Sequence, residues 1–475
     1  MTRRTPKRRS DTRNSPVRNS PASRQDTRRT RTPRGNANVR GGNAQSGNAR
    51  GRNTSGRNSD SENARGRNPR SRNVDSQIER GRNARRSKVQ GGNTRNAAAR
   101  SDKPDINTAQ VYEVETVLGL EEYARREIRR LFGKASSGRA VLGRAVLTNG
   151  GGADGRFGLR FDGSIRRFDE LRTITAIHRV ETFAVPRPRA LLGHQHLTRL
   201  LSAIRSVLDA RPDGAFRTFR IAAAGADSGI YARLREEIAA ATVLEPTEDA
   251  ANLQIAVRRA TEDEGGWQAL IRTSPLPLSA RRWRVCDMQG ALNATVASVM
   301  VNLAKPRQDE RVLNLCCGSG TLMIERLGMG RAASVTGVDI SESALQCADA
   351  NLRAAGHRTS VSLLQADCAD IPLPDAGVDT ITADLPFGMV REGLPKGAEI
   401  ASLYRAALAE AARVAAPDAV FVAITTRHRA MLDAIADSSQ WDLNKEIPIS
   451  IPYRRGYIRP RIYLLRRATI MGGRL

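Results

Sequence analysis

Val312-Leu-Asn-Leu-Cys-Cys-Gly-Ser-Gly-Thr-Leu322 is the stretch of this 475-residue chain that decides the fold. An apolar strand pattern runs into a turn with two glycines, and a helical pattern follows. Gly318 and Gly320 allow the backbone to bend sharply and to approach a ligand closely. The turn is neither a G-x-G-x-x-G fingerprint nor a phosphate loop, because no lysine follows the glycines. It therefore favours a nucleoside cofactor without phosphates, such as S-adenosylmethionine, over an ordinary strand–helix turn.

Strands and helices alternate regularly around this turn. Strands are predicted at 312–317, 334–340, 361–366, 378–384, 419–425, 444–450 and 460–466, with helices such as 341–355 and 398–414 between them. This alternation predicts an α/β fold with a mostly parallel, doubly wound sheet. The last two strands have no helix between them, and the turn-rich segment 452–460 predicts a terminal hairpin. Seven strands ending in a hairpin are typical of the Rossmann-like class I methyltransferase sheet.

Acidic residues end the next two predicted strands. Asp339 lies in Thr336-Gly-Val-Asp-Ile340, where a carboxylate accepts hydrogen bonds from both ribose hydroxyls of a bound nucleoside. Asp367 ends the third strand, and its carboxylate is a candidate acceptor for the adenine amino group. The predicted cofactor-binding residues are Asn314, Cys316, Gly318, Gly320, Thr321, Asp339, Ile340, Asp367 and Cys368.

The segment Ala383-Asp-Leu-Pro-Phe-Gly388 ends the fourth strand, near the point where ligands of open α/β sheets bind. An exocyclic amine on a nucleobase is a poor nucleophile, because its lone pair is shared with the ring. Catalysis therefore needs acceptors for the amine N–H groups, and the Asp384 carboxylate and the Leu385 carbonyl can supply them. Pro386 fixes the turn, and Phe387 offers a face on which a flipped base can stack. These four residues are the predicted catalytic residues.

Composition and pattern divide the chain into four segments. They are a disordered Arg/Gly/Asn-rich tail (1–110), an N-terminal α+β, ferredoxin-like domain (111–188), a second α+β module (189–280) and the doubly wound domain (281–475). In the first α+β domain a strand pattern starts at Tyr112, and a helical pattern runs from Glu121 to Phe132, where Gly133 stops it.

The formal net charge of +28 is concentrated in the tail. Residues 1–111 hold 28 Lys and Arg against 8 Asp and Glu, a net charge of +20, and the other 364 residues contribute +8. No aromatic residue precedes Tyr112, so the tail cannot bury enough apolar surface to fold. A polycationic tail predicts a polyanionic partner, with RNA held by a sequence-blind tether as the first choice. A solubilising tail without a specific role is the alternative.

The five cysteines form an odd set without a paired framework, which indicates a reducing, cytoplasmic compartment. We expect Cys316, Cys317 and Cys368 to pack rather than react. The chain has no C-x-x-C pair, and His194-x-His196 has no third ligand nearby, so no metal site is expected. No stretch reaches the roughly 18 apolar residues that a membrane span needs, and the N-terminus lacks a secretory signal.

The order of the motifs resembles that of the THUMP-containing class I RNA methyltransferases. The resemblance rests on Asn314-Leu-Cys-Cys-Gly-Ser-Gly320, Gly337-Val-Asp-Ile340, Ala366-Asp367, Asp384-Leu-Pro-Phe-Gly388 and Pro277-Leu-Ser-Ala-Arg-Arg-Trp-Arg284. The chain is most similar to the branch that makes N2-methylguanosine in tRNA, and the similarity is strong over 277–467 and moderate over 112–135. Domain order then implies that 189–280 is a THUMP-like RNA-binding module. The family often has Asp at the position of Asn314, so we expect a reduced cofactor affinity.

The resemblance implies an S-adenosylmethionine-dependent RNA (guanine-N2-)-methyltransferase whose partner is tRNA. Methyl transfer would be a direct in-line displacement in which Asp384 orients the amine. Two alternatives stay open. One is ribosomal RNA as the substrate of the same chemistry, and the other is a non-catalytic RNA-binding protein that keeps the fold, which Asn314 motivates. DNA adenine and protein glutamine methylation are disfavoured, because the preceding domains resemble RNA-binding modules.

Overall fold

The computed structural model describes residues 109–133, 145–148, 154–260, 265–387, 398–453 and 456–468. The predicted tail lies outside the described residues, apart from its last two positions, so its disorder stays a prediction.

The N-terminal half of the described chain is built on one mixed sheet. Its strands are β1 (Gln110–Glu115), β2 (Ala145–Thr148), β3 (Arg156–Phe161), β4 (Ala176–Phe183), β5 (Thr218–Ala223), β6 (Glu245–Pro246), β7 (Leu253–Arg259) and β8 (Trp267–Arg272). They are hydrogen-bonded in the order β2-β3-β1-β4-β8-β7-β5-β6. The helices of this half are α1 (Glu121–Phe132), α2 (His194–Asp209) and α3 (Gly229–Thr242).

The two predicted N-terminal modules share this sheet. Strand β4 of segment 111–188 pairs antiparallel with β8 of segment 189–280. Buried residues of both segments, such as Ile128 on α1 and Ile204 on α2, also belong to one apolar core. Both modules therefore contribute strands and side chains to one packed unit, and their division at residue 188 stays a prediction.

The C-terminal half is built on the predicted doubly wound sheet. Its strands are β9 (Arg311–Leu315), β10 (Ser334–Asp339), β11 (Ser362–Gln365), β12 (Val378–Asp384), β13 (Ala415–Thr425), β14 (Trp441–Pro448) and β17 (Arg461–Arg467), and a separate hairpin is formed by β15 (Ile451–Tyr453) and β16 (Gly456–Ile458). The order is β11-β10-β9-β12-β13-β17-β14. Strands β9 to β13 are parallel, whereas β17 runs antiparallel to both of its neighbours.

Helices cover both faces of this sheet. They are α4 (Ala294–Ala304), α5 (Thr321–Leu327), α6 (Glu342–Ala354), α7 (Ala398–Val414) and α8 (His428–Ala436). Successive strand residues point to opposite faces. Leu313 and Leu315 accordingly pack in a core with α7 and α8, whereas Val312 packs in a second core with α5 and α6. The seven strands, the layering and the terminal antiparallel pair confirm the predicted Rossmann-like fold class.

A buried ion network joins the two halves. Glu325 on α5 is fully buried and accepts hydrogen bonds from Arg172 of the N-terminal half and from Arg281. The Arg281 Nε lies 2.8 Å from Glu325 Oε1, and Arg281 Nη2 donates to the Arg172 carbonyl at 2.7 Å. Because α5 starts at the glycine turn, this network ties the N-terminal half to the element that follows the predicted cofactor site.

Two cysteines are paired. Cys286 and Cys347 form a disulfide across 61 positions of sequence, so the expectation of an unpaired cysteine set is wrong for these two residues. The bond joins the segment before α4 to α6, and the sequence gives no local signal for a contact at such a distance. Cys316, Cys317 and Cys368 are free thiols.

Candidate active site

All four sequence motifs lie at the carboxyl edge of the parallel strands, where Asp339 on β10 is in register with Gln365, two residues before Asp367. The central strand β9 lies between β10 and β12, and Leu315 at its end is in register with Val338 on β10 and with Ala383 on β12. Asp339 and Asp384 directly follow those two residues. The strand order reverses between β9 and β12, which is where open α/β sheets bind ligands. The glycine turn, Asp339 and the Asp384 motif therefore surround one crevice.

The glycine turn bends through three residues with positive φ. These angles are +50° at Cys316, +53° at Gly318 and +82° at Gly320. A side chain added to Gly318 would meet a single neighbouring atom, 4.0 Å away, so this side of the turn is open. Gly320 caps the N-terminus of α5. The turn thus presents an open stretch of backbone to the crevice, as a cofactor lying against it requires.

Asp339 holds the glycine turn in place. Its Oδ2 accepts a hydrogen bond from the Gly318 N–H at 2.8 Å, and its Oδ1 accepts one from the Ser341 N–H at 3.0 Å. Each carboxylate oxygen has lone pairs for a further donor, such as a ribose hydroxyl. The neighbouring Ile340 side chain is 63% exposed, which is unusual for a large apolar residue in this domain and leaves a flat apolar surface beside the carboxylate.

Asn314 and Asp367 occupy different environments. Asn314 is buried, and its Nδ2 donates to the Leu315 and Thr382 carbonyls. Its Oδ1 is buried without a hydrogen-bond partner among the described residues. Asp367 is exposed at the end of β11, where its Oδ1 accepts from the Ala369 N–H at 2.9 Å.

Cys316 and Cys317 lie next to the crevice and are held in the neutral form. A hydrogen bond with Cys368 and burial raise the pKa of Cys316 well above its usual value. Burial likewise raises the pKa of Cys317. Neutral thiols are poor nucleophiles, so both groups fit the expected packing role.

The residues present fit a nucleoside cofactor without phosphates. The open turn, the Asp339 carboxylate, the exposed Ile340 and the unpartnered Asn314 oxygen offer hydrogen-bond and apolar contacts. The turn at 316–321 contains no lysine or arginine that could bind a phosphate group. Cofactor contact by each predicted residue stays a prediction.

Asp384 is the titratable group at the centre of the crevice. Its Oδ1 is buried and has no hydrogen-bond partner among the described residues. Burial raises the pKa of Asp384 to about 7, because the charged form loses its hydration there. A carboxyl group with such a pKa can accept a proton near neutral pH. The unpartnered oxygen is what a hydrogen-bond acceptor for an incoming amine requires.

Three residues that the sequence analysis missed fix the turn after Asp384. The Tyr404 hydroxyl on α7 donates to the Pro386 carbonyl at 2.7 Å and lies 2.6 Å from the Thr425 hydroxyl at the end of β13. The Arg427 Nε donates to the Phe387 carbonyl at 2.7 Å. Tyr404 is fully buried, whereas Phe387 is partly exposed. The backbone at Pro386 and Phe387 is therefore held from two directions.

We expect Tyr404→Phe to lower the maximal methyl-transfer rate about tenfold while the affinity for the cofactor stays unchanged. The substitution leaves the partly buried Pro386 carbonyl without its donor, a loss of at most about 1–3 kcal/mol, and loosens the turn that carries the acceptors. Single-turnover rates and calorimetric titration with the cofactor product would measure the two quantities. An equal loss of cofactor affinity would instead indicate general destabilisation.

The segment before α4 is tied to the glycine turn. The Asn351 side chain on α6 accepts from the Val285 and Cys286 N–H groups and donates to the Cys286 and Ser319 carbonyls. The Arg284 Nη2 donates to the Thr321 hydroxyl at 3.0 Å. The resembling stretch that ends at Arg284 therefore lies against the predicted cofactor residue Thr321. Asn351 has no local sequence signal, since its partners lie 32 to 66 positions away.

Among the residues that the structure describes, no group of three or more His, Cys, Asp and Glu side chains has the arrangement of a metal site. None of the described helices is long and apolar enough to cross a membrane.

Comparison with known proteins agrees with this geometry. Residues 281–454 match the family model described as UPF0020, an RMKL-like methyltransferase domain. The chain is 40% identical over 113 residues to U6 snRNA (guanine-N(2))-methyltransferase THUMPD2 of Bos taurus, a match that covers 24% of this chain and 22% of that protein. It is 33% identical over 100 residues to tRNA (guanine(10)-N2)-dimethyltransferase of Methanothermobacter thermautotrophicus, covering 21% of this chain and 29% of that protein. The matches thus span less than a third of either relative.

A solved structure extends the likeness in fold to the N-terminal half. The crystal structure of TrmN from Thermus thermophilus superimposes with a TM-score of 0.54 at 21% identity, covering 75% of this chain and 99% of that one. The described residues therefore share the overall architecture of that protein. The match of residues 281–454 to the UPF0020 methyltransferase domain model and these relatives confirm the resemblance of the chain to THUMP-containing class I RNA methyltransferases.

Proposed function

We propose that this protein is an S-adenosylmethionine-dependent RNA methyltransferase that methylates the exocyclic N2 amine of a guanosine, with tRNA as its substrate. The observation that carries the proposal is the buried, unpartnered Asp384 Oδ1, which lies where β12 ends beside the glycine turn. A methyltransferase domain with an acceptor at that point is suited to an amine that must be held by its N–H groups.

The proposed chemistry assigns a task to each residue of the turn. Asp384 accepts a hydrogen bond from the guanine amine and takes its proton as the N–C bond forms. The Leu385 carbonyl accepts the second N–H, so the nitrogen lone pair turns away from the ring. Phe387 supports the flipped base by stacking. Since the amine becomes acidic only during transfer, a base with a pKa of about 7 is sufficient.

The cofactor would lie against the glycine turn. When bound, S-adenosylmethionine supplies an electrophilic methyl group on a sulfonium. Asp339 would accept from the ribose hydroxyls, Ile340 would contact the adenine, and Asn314 would face the amino-acid end. The neutral Asn314 side chain attracts a cation less than an aspartate does, so a modest affinity is expected.

Two lines support RNA as the substrate class. The named relatives with the same motifs are guanine-N2 methyltransferases of U6 snRNA and of tRNA. The net charge of +28 also favours a polyanionic partner. We place the RNA-binding THUMP-like module in residues 189–280, and we propose a cytoplasmic location, where tRNA is abundant.

Nucleoside mass spectrometry tests this assignment. Purified wild-type protein and the Asp384→Ala variant would be incubated separately with tRNA and with ribosomal RNA from a strain that lacks the gene, and the products digested to nucleosides. We expect N2-methylguanosine in tRNA with the wild-type protein alone. Methylation of ribosomal RNA alone would identify ribosomal RNA, the second candidate, as the substrate of the same reaction. No N2-methylguanosine in either RNA, despite cofactor binding, would favour a non-catalytic RNA-binding protein.

A further inference from the structure

The small β15–β16 hairpin lies at the edge of the sheet that carries the catalytic turn. It connects β14 to β17, and β17 starts at Arg461, which is in register with Thr425 at the carboxyl end of β13. The residue that precedes β15 is hydrogen-bonded to the N-terminal half, because the Ser450 N–H donates to the Leu118 carbonyl at 3.0 Å. The hairpin therefore has a fixed base next to the crevice.

A short chain of contacts connects the hairpin with Phe387. Arg427 donates to the Phe387 carbonyl, and the next residue, His428, hydrogen-bonds to the backbone of Arg459 directly after β16. The ring of His428 also lies 3.4 Å from the Tyr463 hydroxyl on β17. The end of β16 is thus connected through His428 and Arg427 to the turn that would hold the target base.

The hairpin carries the exposed aromatic side chains of this protein. Among the large apolar and aromatic residues that the structure describes, Tyr453 and Tyr457 are the two aromatic ones with more than a third of their surface exposed, at 39% and 62%. The other aromatic residues are buried or partly buried. Two exposed rings on one hairpin indicate a binding surface, since they gain little from remaining in water.

The hairpin sequence is positively charged, which favours an anionic partner. The sequence from Ile451 to Arg461 contains four arginines and no acidic residue. Arg459 is exposed, whereas Arg461 is paired with Glu446 on β14. Aromatic rings interleaved with arginines are the pattern with which proteins stack nucleobases and neutralise phosphates. An acidic protein partner would match the charge but would not require the flat rings.

We propose that the β15–β16 hairpin is a docking surface for single-stranded RNA, on which Tyr457 stacks a base that flanks the methylated guanosine. This inference rests on the proposed function and adds a second contact to it. A base flipped into the crevice leaves its neighbours unstacked, and a ring at the edge of the crevice replaces part of the lost stacking. Arg459 contacts the adjoining phosphate.

The test compares Tyr457→Ala with Tyr457→Phe in the full chain. The matched control is Leu443→Ala, which shortens an exposed apolar side chain on β14, 39% exposed, outside both the hairpin and the THUMP-like module. Single-turnover methylation would be followed against RNA concentration with saturating cofactor. The salt concentration would be raised, so that binding through the basic tail is weakened.

We expect Tyr457→Ala to raise the half-saturating RNA concentration about tenfold or more, the range that the loss of one stacked base produces. The maximal rate and the affinity for the cofactor should stay within about twofold of wild type, since stacking is lost outside the crevice. Tyr457→Phe, which keeps the ring, should remain within about threefold, and Leu443→Ala should match wild type.

Equal RNA saturation of wild type and Tyr457→Ala would overturn the proposal. So would a change of mass in sedimentation without a change in RNA saturation, because the ring would then contact a second copy of the chain. If wild type methylates no RNA, the proposed function fails on its own. The hairpin is then judged by fluorescence anisotropy with labelled single-stranded RNA, where equal affinities of the two proteins contradict it.

Discussion

Replacing Asp384 by alanine should lower the maximal rate of methyl transfer by about 10²- to 10⁴-fold, the range typical for loss of a positioned general base. The variant removes both the acceptor that orients the amine and the group that takes its proton. Cofactor affinity should change little, because the cofactor contacts predicted for the turn and Asp339 are retained. Single-turnover rates with saturating RNA, together with calorimetry, would measure the two effects. If the Asp384→Ala rate stays within tenfold of the wild-type rate, another group must accept the proton of the guanine amine.

The Asp384→Asn variant separates orientation from proton transfer. It keeps an acceptor oxygen but cannot ionise, so we expect a smaller rate loss than with alanine. Burial raises the pKa of Asp384 to about 7, so the carboxyl group is mostly neutral below that pH. The wild-type rate should therefore rise about tenfold per pH unit below pH 7 and level off above it. The asparagine variant should lack this rise, and its persistence there would identify a different titrating group.

Replacing Glu325 by alanine should lower the free energy of unfolding by about 3 kcal/mol or more. The Glu325 side chain is fully buried, and its carboxylate pairs with Arg281, whose side chain is 5% exposed. Removing one member of a buried pair leaves the other charge uncompensated, which typically costs about 3–5 kcal/mol. Arg172, whose side chain is 33% exposed, can turn towards water and limits the loss. Urea unfolding followed by circular dichroism would measure it.

The matched control is Asp433→Ala on the surface of α8. Asp433 pairs with Arg429, whose side chain is 91% exposed, in the i,i+4 arrangement of a helix. Such pairs contribute about 0.3–0.5 kcal/mol. If Glu325→Ala costs no more than this control, the two halves are not joined by the network, and packing between them must hold their arrangement.

Local patterns predicted most of the elements. The helix from Glu121 to Phe132 has the predicted bounds, because acidic residues begin it, arginines end it and Gly133 follows. Strand β12 likewise ends at Asp384 as predicted. The sharing of one sheet by segments 111–188 and 189–280 was not predictable, since the pairing of β4 with β8 depends on contacts distant in sequence.

The same limit applies to the crevice. The sequence identified Asp339 and Asp384 because strand–turn motifs mark their positions. It did not identify Tyr404 or Arg427, which reach the turn after Asp384 from α7 and from the start of α8 only after the sheet has formed. It also gave no reason for Asp384 to keep an unpartnered oxygen, because burial is a property of the packed crevice.

The pairing of β4 with β8 has a consequence for the plan of the N-terminal half. Phe183, the last residue of β4, is in register with Trp267, the first residue of β8. Between these two residues the chain builds α2 and α3 and adds β5, β6 and β7 to the same sheet, on the side of β8 away from β4. This segment is inserted between two strands that are neighbours in the sheet, and Arg172 and Arg281 lie outside it. The segment that we propose to bind RNA is therefore separate in sequence from Arg172 and Arg281, which connect the N-terminal half to Glu325 on α5.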